Sequence, residues 1–419
     1  MFFNIVVIGG GVAGGEASVR LAKQLRGRSL VLISSDPVVY SKMTLSYGLK
    51  TNVQSIDPYV LYRPQELEAL GVRFLNDTVE FVDASRNTVV TKSGQRIEYE
   101  TLVLATGSKP RMPKLTGIEG AKNVFTFLSF DDMKRVSVVA EPGRKALVVG
   151  SGMIGLLVAD ALLRRGVKVT SIDILPYPAL TAVEEELGKL ILRRMQALGA
   201  RFYGGTTVER LEGDGRVERA ILSNGVRVDV DFIIVAIGVE PNIPGGLEKL
   251  EIDPSGGLRT NERFQTSIPN IYAVGDCAST IDIATGKLLY RPLGILASYA
   301  ARLLPGILGE QGYGYKGFLA YQVEEAFNVT FMRVGLNGAE LKRLGITFNK
   351  AVIEYKTPGV GVTRSLVLVS KGDDRILGWQ NVGTTLTSYK SRVFEEAIKS
   401  GWHLSELEEK GFRVKEVTG

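Results

Sequence analysis

Twice in this chain an unbroken apolar run ends in glycines of fixed spacing and then continues into a helical pattern. The first run is Asn4-Ile5-Val6-Val7-Ile8, followed by Gly9, Gly10, Gly11, Val12, Ala13 and Gly14. A run with no polar alternation reads as a strand buried on both faces, as in a parallel sheet. Helical periodicity follows from Ala17 to Leu25. Glycine is needed at 9 for the tight turn, at 11 for close approach of the backbone to a diphosphate, and at 14 for contact between helix and strand. The helix N-terminus then presents its partial positive charge to the phosphates. Gly9, Gly11, Val12, Ala13 and Gly14 are therefore expected to hold a dinucleotide. A second strand, Ser29–Ile33, ends at Ser34, Ser35 and Asp36. The acid that binds ribose hydroxyls in this fingerprint would fall at Ser34, with Asp36 two residues on. The ribose contact is assigned to Ser34 or Asp36, while Asp36-Pro37 also reads as the start of a turn.

The pattern returns later in the chain. Lys145–Val149 leads into Gly150, Ser151, Gly152, Met153, Ile154 and Gly155, then a helical stretch from Leu156 to Arg165, then a strand Lys168–Ile172 ending at Asp173. Here the acid is in place, about 20 residues past the glycines as the fingerprint requires. A carboxylate at Asp173 accepts hydrogen bonds from both ribose hydroxyls and repels a 2′-phosphate. No Lys or Arg occurs among residues 174 to 183 to neutralise one. NADH is expected at Gly150, Gly152, Ile154, Gly155 and Asp173, in preference to NADPH. Two dinucleotide sites in one chain imply electron transfer between them, and one ligand should be a flavin because a nicotinamide must hand its hydride to something.

Composition limits the alternatives. A chain of 419 residues with 45% hydrophobic and 23% charged residues has room for two or three domains with full cores. The net charge is +6, which would suit an acidic partner. The basic pairs Arg164–Arg165, Arg193–Arg194 and Lys342–Arg343 read as solvated helix faces, not as a nucleic-acid surface. Cys277 and His403 are the only residues of their types, so neither an internal disulfide nor a Cys/His metal cluster is expected. A lone thiol fits a reducing compartment. The start of the sequence lacks signal-peptide features and no apolar run reaches membrane-span length, so a cytoplasmic location is expected.

Further segments extend the pattern. Tyr99–Ser108 carries Ala105-Thr106-Gly107, Asp231–Asn242 carries Ile237-Gly238, and Ile271–Ala278 carries Gly275-Asp276-Cys277. In order and spacing these resemble the pyridine nucleotide–disulfide oxidoreductase family, over residues 3 to about 410. The resemblance implies an α/β fold with two dinucleotide-binding, Rossmann-like domains plus an α+β C-terminal interface domain. The FAD domain would cover 1–110 and 245–318, the inserted NAD domain 111–244, and the interface domain, through which two copies would pair, 319–419. It further implies that Asp276 bonds the flavin's ribityl chain and that Ala105, Thr106 and Gly107 close over FAD. Gly238 would lie near the nicotinamide half, Val79 and Gly275 would line the FAD site, and a helix starting near Ala297 would aim its N-terminus at the flavin. A helix N-cap is the alternative role for Asp276.

The departures from the family pattern decide the chemistry expected. Disulfide reductases of this family carry a redox cysteine in the segment that here reads Tyr40–Leu49, and Met43 stands in its place. A thioether cannot become a thiolate nucleophile. Lys42 is expected to place a cation near the flavin or its phosphates. Where some relatives pair a lysine with a glutamate beside the flavin, this chain has Tyr47 and Leu157, so the flavin edge should be less polar. Met43, Tyr47 and Lys42 are the candidate residues at the reacting centre. His403 reads as a surface residue. The expected activity is hydride transfer from NADH to FAD and onward to oxygen or another acceptor, a small molecule or a redox protein, without a redox disulfide. A ferredoxin or rubredoxin reductase, a coenzyme A–disulfide reductase homologue and a non-catalytic flavoprotein scaffold remain as alternatives.

Overall fold

The computed structural model describes residues 1–118, 120–309, 314–357, 361–383 and 388–418, with no side chains described at 388 and 389. The chain divides into two compact units. The first comprises Met1–Thr44, Ser55–Lys109 and Val239–Phe318, the second Leu45–Gln54, Pro110–Gly238 and Leu319–Gly419.

In the first unit, strand Phe2–Ile8 lies between Leu30–Ser34 and Arg96–Leu104, all parallel. Arg73–Asn76 extends the sheet beyond Leu30–Ser34, and Ile271–Ala273 pairs in parallel with Arg96–Leu104. Thr88–Thr91 and Val79–Asp83 continue it antiparallel. Successive residues of the central strands enter different cores. Ile5 and Val7 join Leu30, Leu32 and Val103, while Val6 and Ile8 join Val31, Ile33 and Leu102. Both faces are covered, which is why these strands carry no polar alternation. Helices Val12–Gln24 and Gly294–Gly309 pack together over the first face. Glu16 links them, accepting from Ser298 Oγ at 3.0 Å and lying 3.5 Å from Arg302 Nε.

In the second unit, a parallel sheet has the order Val124–Phe125, Phe232–Val235, Lys145–Val149, Lys168–Ile172, Arg201–Tyr203. A three-stranded antiparallel sheet of Val208–Glu212, Arg219–Leu222 and Arg227–Asp229 accompanies it. The C-terminal segment forms a six-stranded antiparallel sheet in which Ile376–Gly383 is an inner strand, carrying helix Ser388–Lys399 on one face. Trp379 and Phe394 stack there, fully buried, with ring centroids 4.7 Å apart; such a pair adds about 1 kcal/mol beyond its buried area. The fold class is thus the expected one, two parallel α/β cores and an α+β C-terminal part. Among the described residues, no helix is long and apolar enough to cross a membrane.

Three helices begin earlier than expected from the sequence, the first two from periodicity and the third from the family resemblance. The first runs from Val12 instead of Ala17, the second is Met153–Arg164 instead of starting at Leu156, and the third begins at Gly294 instead of near Ala297. Each first turn holds at least one glycine, so it gives little amphipathic signal although Ala13, Gly14 and Gly15 are buried. Of the Arg164–Arg165 pair, Arg164 is exposed as expected, whereas Arg165 is half-buried. Arg165 donates to the carbonyls of Leu49, Ser137 and Ala140 and to Asn52 Oδ1, and Arg164 donates to Asp160. Both guanidiniums sit at a helix C-terminus where three segments converge and exposed backbone carbonyls need donors. Arg193, Arg194, Lys342 and Arg343 are exposed as expected.

Asn123 joins elements of the parallel sheet to the antiparallel one. Its buried amide donates to the Val217 and Asp231 carbonyls at 2.8 Å each and accepts from the Val217 N–H at 2.8 Å. Removing it orphans three backbone groups, so Asn123→Ala should lower unfolding free energy by at least about 2 kcal/mol in a denaturant titration. A loss below about 0.5 kcal/mol, the size of a neutral surface change, would contradict this role.

Candidate functional site

The first cradle is built on the absence of side chains. Gly9 has φ +113°, a region open to glycine, and its N–H donates to the Ile33 carbonyl at 2.8 Å. A Cβ at Gly9 would collide with the Ala105 carbonyl oxygen, and one at Gly14 with the Gly9 carbonyl oxygen. At Gly11, the residue preceding helix Val12–Gln24, a Cβ would meet nothing within 4 Å. The backbone is therefore closed where helix meets strand and open where a ligand would lie. The N–H groups of Val12, Ala13 and Gly14 belong to the helix's first turn, which has no intrahelical acceptors. Gly275 joins this group, since a Cβ there would lie 2.8 Å from Ala13 Cβ and 3.6 Å from Ala297 Cβ. The Ala105 N–H donates to the Ile8 carbonyl at 2.9 Å, bringing Ala105, Thr106 and Gly107 to the same end of the sheet. Val79 starts an antiparallel strand opposite Thr91 and packs against the core that contains Ile8 and Leu104.

Ser34 ends its strand buried, and its Oγ accepts from the Asp36 N–H at 3.1 Å. Its side chain also occupies the space a Cβ at Gly10 would need. Gly10 is thus a requirement that the fingerprint does not include; the third consecutive glycine was its only sign in the sequence. Ser35 is exposed and Asp36 half-buried.

The second cradle repeats the first. Gly150 has φ +97°. A Cβ at Gly150 would meet the Ala236 carbonyl oxygen, one at Gly155 the Gly150 carbonyl oxygen, and one at Gly152 only Thr181 Oγ1 at 3.5 Å. Ile154 lies half-buried in the first turn of helix Met153–Arg164. Asp173 Oδ2 accepts from the Ser151 N–H at 2.6 Å and its Oδ1 from the Leu175 N–H at 2.9 Å. The carboxylate is held beside the glycine turn, as Ser34 is held beside Gly10. Gly238, with φ +104°, meets nothing within 4 Å, and its carbonyl accepts from the Arg111 N–H at 3.0 Å.

In the segment after the first unit's second strand, Lys42 is exposed and Met43 is 57% exposed. The Met43 thioether occupies the space a Cβ would take at Gly294, the first residue of helix Gly294–Gly309. Tyr47 is 63% exposed on helix Leu45–Thr51, which belongs to the second unit, and Lys50 Nζ lies 5.9 Å from its ring centroid. Cys277 is fully buried, its Sγ donating at 3.4 Å to the Leu104 and Val274 carbonyls, and burial pushes its thiol up to about 11. At neutral pH it is a protonated, inaccessible thiol, not a nucleophile. His403 is exposed and precedes the short helix Leu404–Glu409.

Asp276 lies in a turn closed by the Ala278 N–H donating to the Gly275 carbonyl at 3.0 Å, not at a helix start. Burial pushes its carboxyl up to about 6, with the Lys42 charge pulling it back down. The unfolded value is about 3.9, so the folded state binds the proton more tightly and stability falls as pH rises from about 4 through about 6. In protein stripped of nucleotides, Asp276→Asn should raise the thermal midpoint at pH 7 and leave it nearly unchanged at pH 4. A lower midpoint at pH 7 would contradict this charge balance.

Both cradles fit the diphosphate of a dinucleotide, because each leaves open space at a helix N-terminus between glycines that admit no Cβ. Comparison with known proteins agrees. Residues 3–288 match the family model described as pyridine nucleotide-disulphide oxidoreductase. The chain is 28% identical to an NADH oxidase of Methanocaldococcus jannaschii, over 90% of this chain and 87% of that protein. It is 31% identical to an NADH oxidase of Streptococcus pyogenes, over 82% of this chain and 80% of that one. Its fold superimposes on an NAD-dependent persulfide reductase from A. fulgidus with a TM-score of 0.89 at 27% identity, over 98% of this chain and 79% of that chain. With two matching cradles and matches of this extent, the chain belongs to the pyridine nucleotide-disulphide oxidoreductase family and is a flavoprotein oxidoreductase that works with a pyridine nucleotide.

Proposed function

We propose that this protein is an FAD-dependent oxidoreductase of the NADH oxidase type, taking hydride from NADH and passing electrons to oxygen or another acceptor without a redox disulfide. The observation that carries the proposal is the pair of cradles in a chain whose only thiol is buried against backbone carbonyls. A bound flavin supplies the hydride acceptor. In this reading residues 1–110 and 245–318 serve FAD, 111–244 serve NADH, and 319–419 pair two copies, in the cytoplasm.

Gly9, Gly11, Val12, Ala13 and Gly14 would seat the FAD diphosphate, with Ser34 or Asp36 at its ribose. The N–H contact from Asp36 gives Ser34 a part in shaping the turn. Ala105, Thr106, Gly107, Gly275, Asp276 and Ala297 would border the flavin half. The N-terminus of helix Gly294–Gly309 would favour negative charge on the reduced ring. Gly150, Gly152, Ile154 and Gly155 would seat the NADH diphosphate, with Asp173 accepting from the ribose hydroxyls. Asp173 is already aligned by two backbone N–H groups. The chain's contribution to hydride transfer is alignment, since no side-chain acid is needed for that step and fixing the two rings removes the entropic cost of their encounter. Met43 would take the place of the redox cysteine and so withhold thiol chemistry.

The net charge of +6 supports a second reading in which the acceptor is an acidic redox protein, as in ferredoxin and rubredoxin reductases. Carrier reduction that weakens steeply with salt favours it, and salt-independent oxygen consumption favours the first reading.

Anaerobic mixing with NADH should bleach the flavin in wild type and in Cys277→Ala at similar rates. Absence of bleaching in wild type contradicts the proposal, and loss in Cys277→Ala alone contradicts the thiol-free mechanism. Asp173→Ala should weaken NADH binding by about 10- to 100-fold, the worth of hydrogen bonds to a charged group, and NADPH binding by less. Equal loss for both nucleotides would contradict the assignment of Asp173.

A further inference from the structure

The two cradles differ in one respect. At Gly11 a Cβ would find nothing within 4 Å, whereas at Gly152 it would find one atom, Thr181 Oγ1, at 3.5 Å. Thr181 belongs to the stretch that joins strand Lys168–Ile172 to helix Glu185–Ala197, and it is exposed. Among the described residues, nothing pairs with its hydroxyl. A hydroxyl carries one O–H donor, and the diphosphate that the cradle fits is an anion that only accepts. The second cradle therefore has a side-chain donor at the border of its open space, and the first has none there.

The stretch is tied both to the glycine turn and to the C-terminal segment, all within the second unit. At the turn, Ser151 holds it twice. The Ser151 N–H donates to Asp173 Oδ2 at 2.6 Å, and the Ser151 carbonyl accepts from the Ala179 N–H at 2.8 Å. Ala179 is buried with φ +62°, a conformation that residues with a Cβ rarely take and keep only where neighbours impose it. Its carbonyl accepts from the Ala182 and Val183 N–H groups at 2.8 and 3.0 Å, so Thr181 stands inside a closed turn. On the other side, the buried Asn337 amide donates to the Thr181 carbonyl at 2.9 Å, while its Oδ1 accepts from the Glu340 N–H at 2.8 Å. The Glu184 N–H donates to the fully buried Gln380 Oε1 at 2.7 Å, and Glu184 Oε1 accepts from the Gly338 N–H at 2.7 Å. Buried amides bonded at both ends specify one arrangement. The main chain at Thr181 is thus fixed from two sides, and its hydroxyl is left beside the open space at Gly152.

We propose that Thr181 is a further nucleotide-binding residue, whose hydroxyl donates to the diphosphate of the dinucleotide seated at Gly152, and that Asn337 is the positioning residue that holds it there. The identity of the ligand rests on the function proposed above; the place of the hydroxyl does not. The flavin-loaded protein is titrated with NADH and with ADP, which shares the diphosphate but lacks the nicotinamide. Thr181→Val keeps the shape without the hydroxyl and should weaken both by about tenfold, the worth of one hydrogen bond to a charged group. Thr181→Ser should recover most of that affinity. Asn337→Asp keeps the helix-capping oxygen and removes the donor to the Thr181 carbonyl. Hydrogen exchange of peptides covering 174–184 should rise in this variant, and NADH binding should weaken by about threefold, the scale for a residue that acts through another. Undiminished affinity in Thr181→Val, or a Thr181→Ser as weak as Thr181→Val, overturns the hydroxyl contact. Weakening for NADH alone puts the hydroxyl away from the diphosphate and overturns it as well. Unchanged exchange or unchanged NADH affinity in Asn337→Asp overturns the positioning role. A wild-type protein that binds neither NADH nor ADP would fail the functional reading and the contact with it, while the exchange result would still decide whether Asn337 holds the stretch.

Discussion

A helix can point its N-terminus at a phosphate beside a sheet only if nothing stands between its first turn and the strand that precedes it. In this protein that condition is met twice by a glycine facing a glycine carbonyl, Gly14 toward Gly9 and Gly155 toward Gly150. A single methyl at either position would force helix and strand apart. The positive φ of Gly9 and Gly150 turns the chain sharply enough for the following residues to start the helix. The remaining glycine of each trio, Gly11 and Gly152, does the opposite work and leaves room. The rest of the architecture supports these two turns, with strands buried on both faces fixing the sheet and paired helices holding the first turn in place.

What such a scaffold does with electrons depends on the groups near the cofactors. The only thiol is enclosed by carbonyls of the first unit and held protonated by burial. Met43 is exposed and packs its thioether on the first residue of helix Gly294–Gly309. Asp276 is the exception, a carboxylate raised by burial and opposed by Lys42. Such a group is poised for an incoming hydrogen-bond donor that would repay its lost hydration.

Much of this was legible in the sequence, because the features that build the cradles are local. Glycine spacing, apolar runs and the acid at Asp173 placed both strand–turn–helix units, and the strand Lys168–Ile172 has the bounds the sequence indicates. Helix starts were misread, because the residues that permit close packing are too small to show periodicity. Gly10 was passed over since its partner, the Ser34 side chain, comes from the next strand. Arg165 was read as solvated because its partners lie far away in sequence, at 49, 52, 137 and 140. Contacts of that range have no local signature.

The central claim is that each cradle seats its own nucleotide. Its most direct measurement is nucleotide content and NADH titration of Gly11→Val and Gly152→Val, each placing a side chain in one open space. The account predicts that Gly11→Val is purified without flavin yet still binds NADH, and that Gly152→Val is yellow but does not bind NADH. Retention of both nucleotides by both variants, or flavin loss from Gly152→Val with Gly11→Val unaffected, would contradict it.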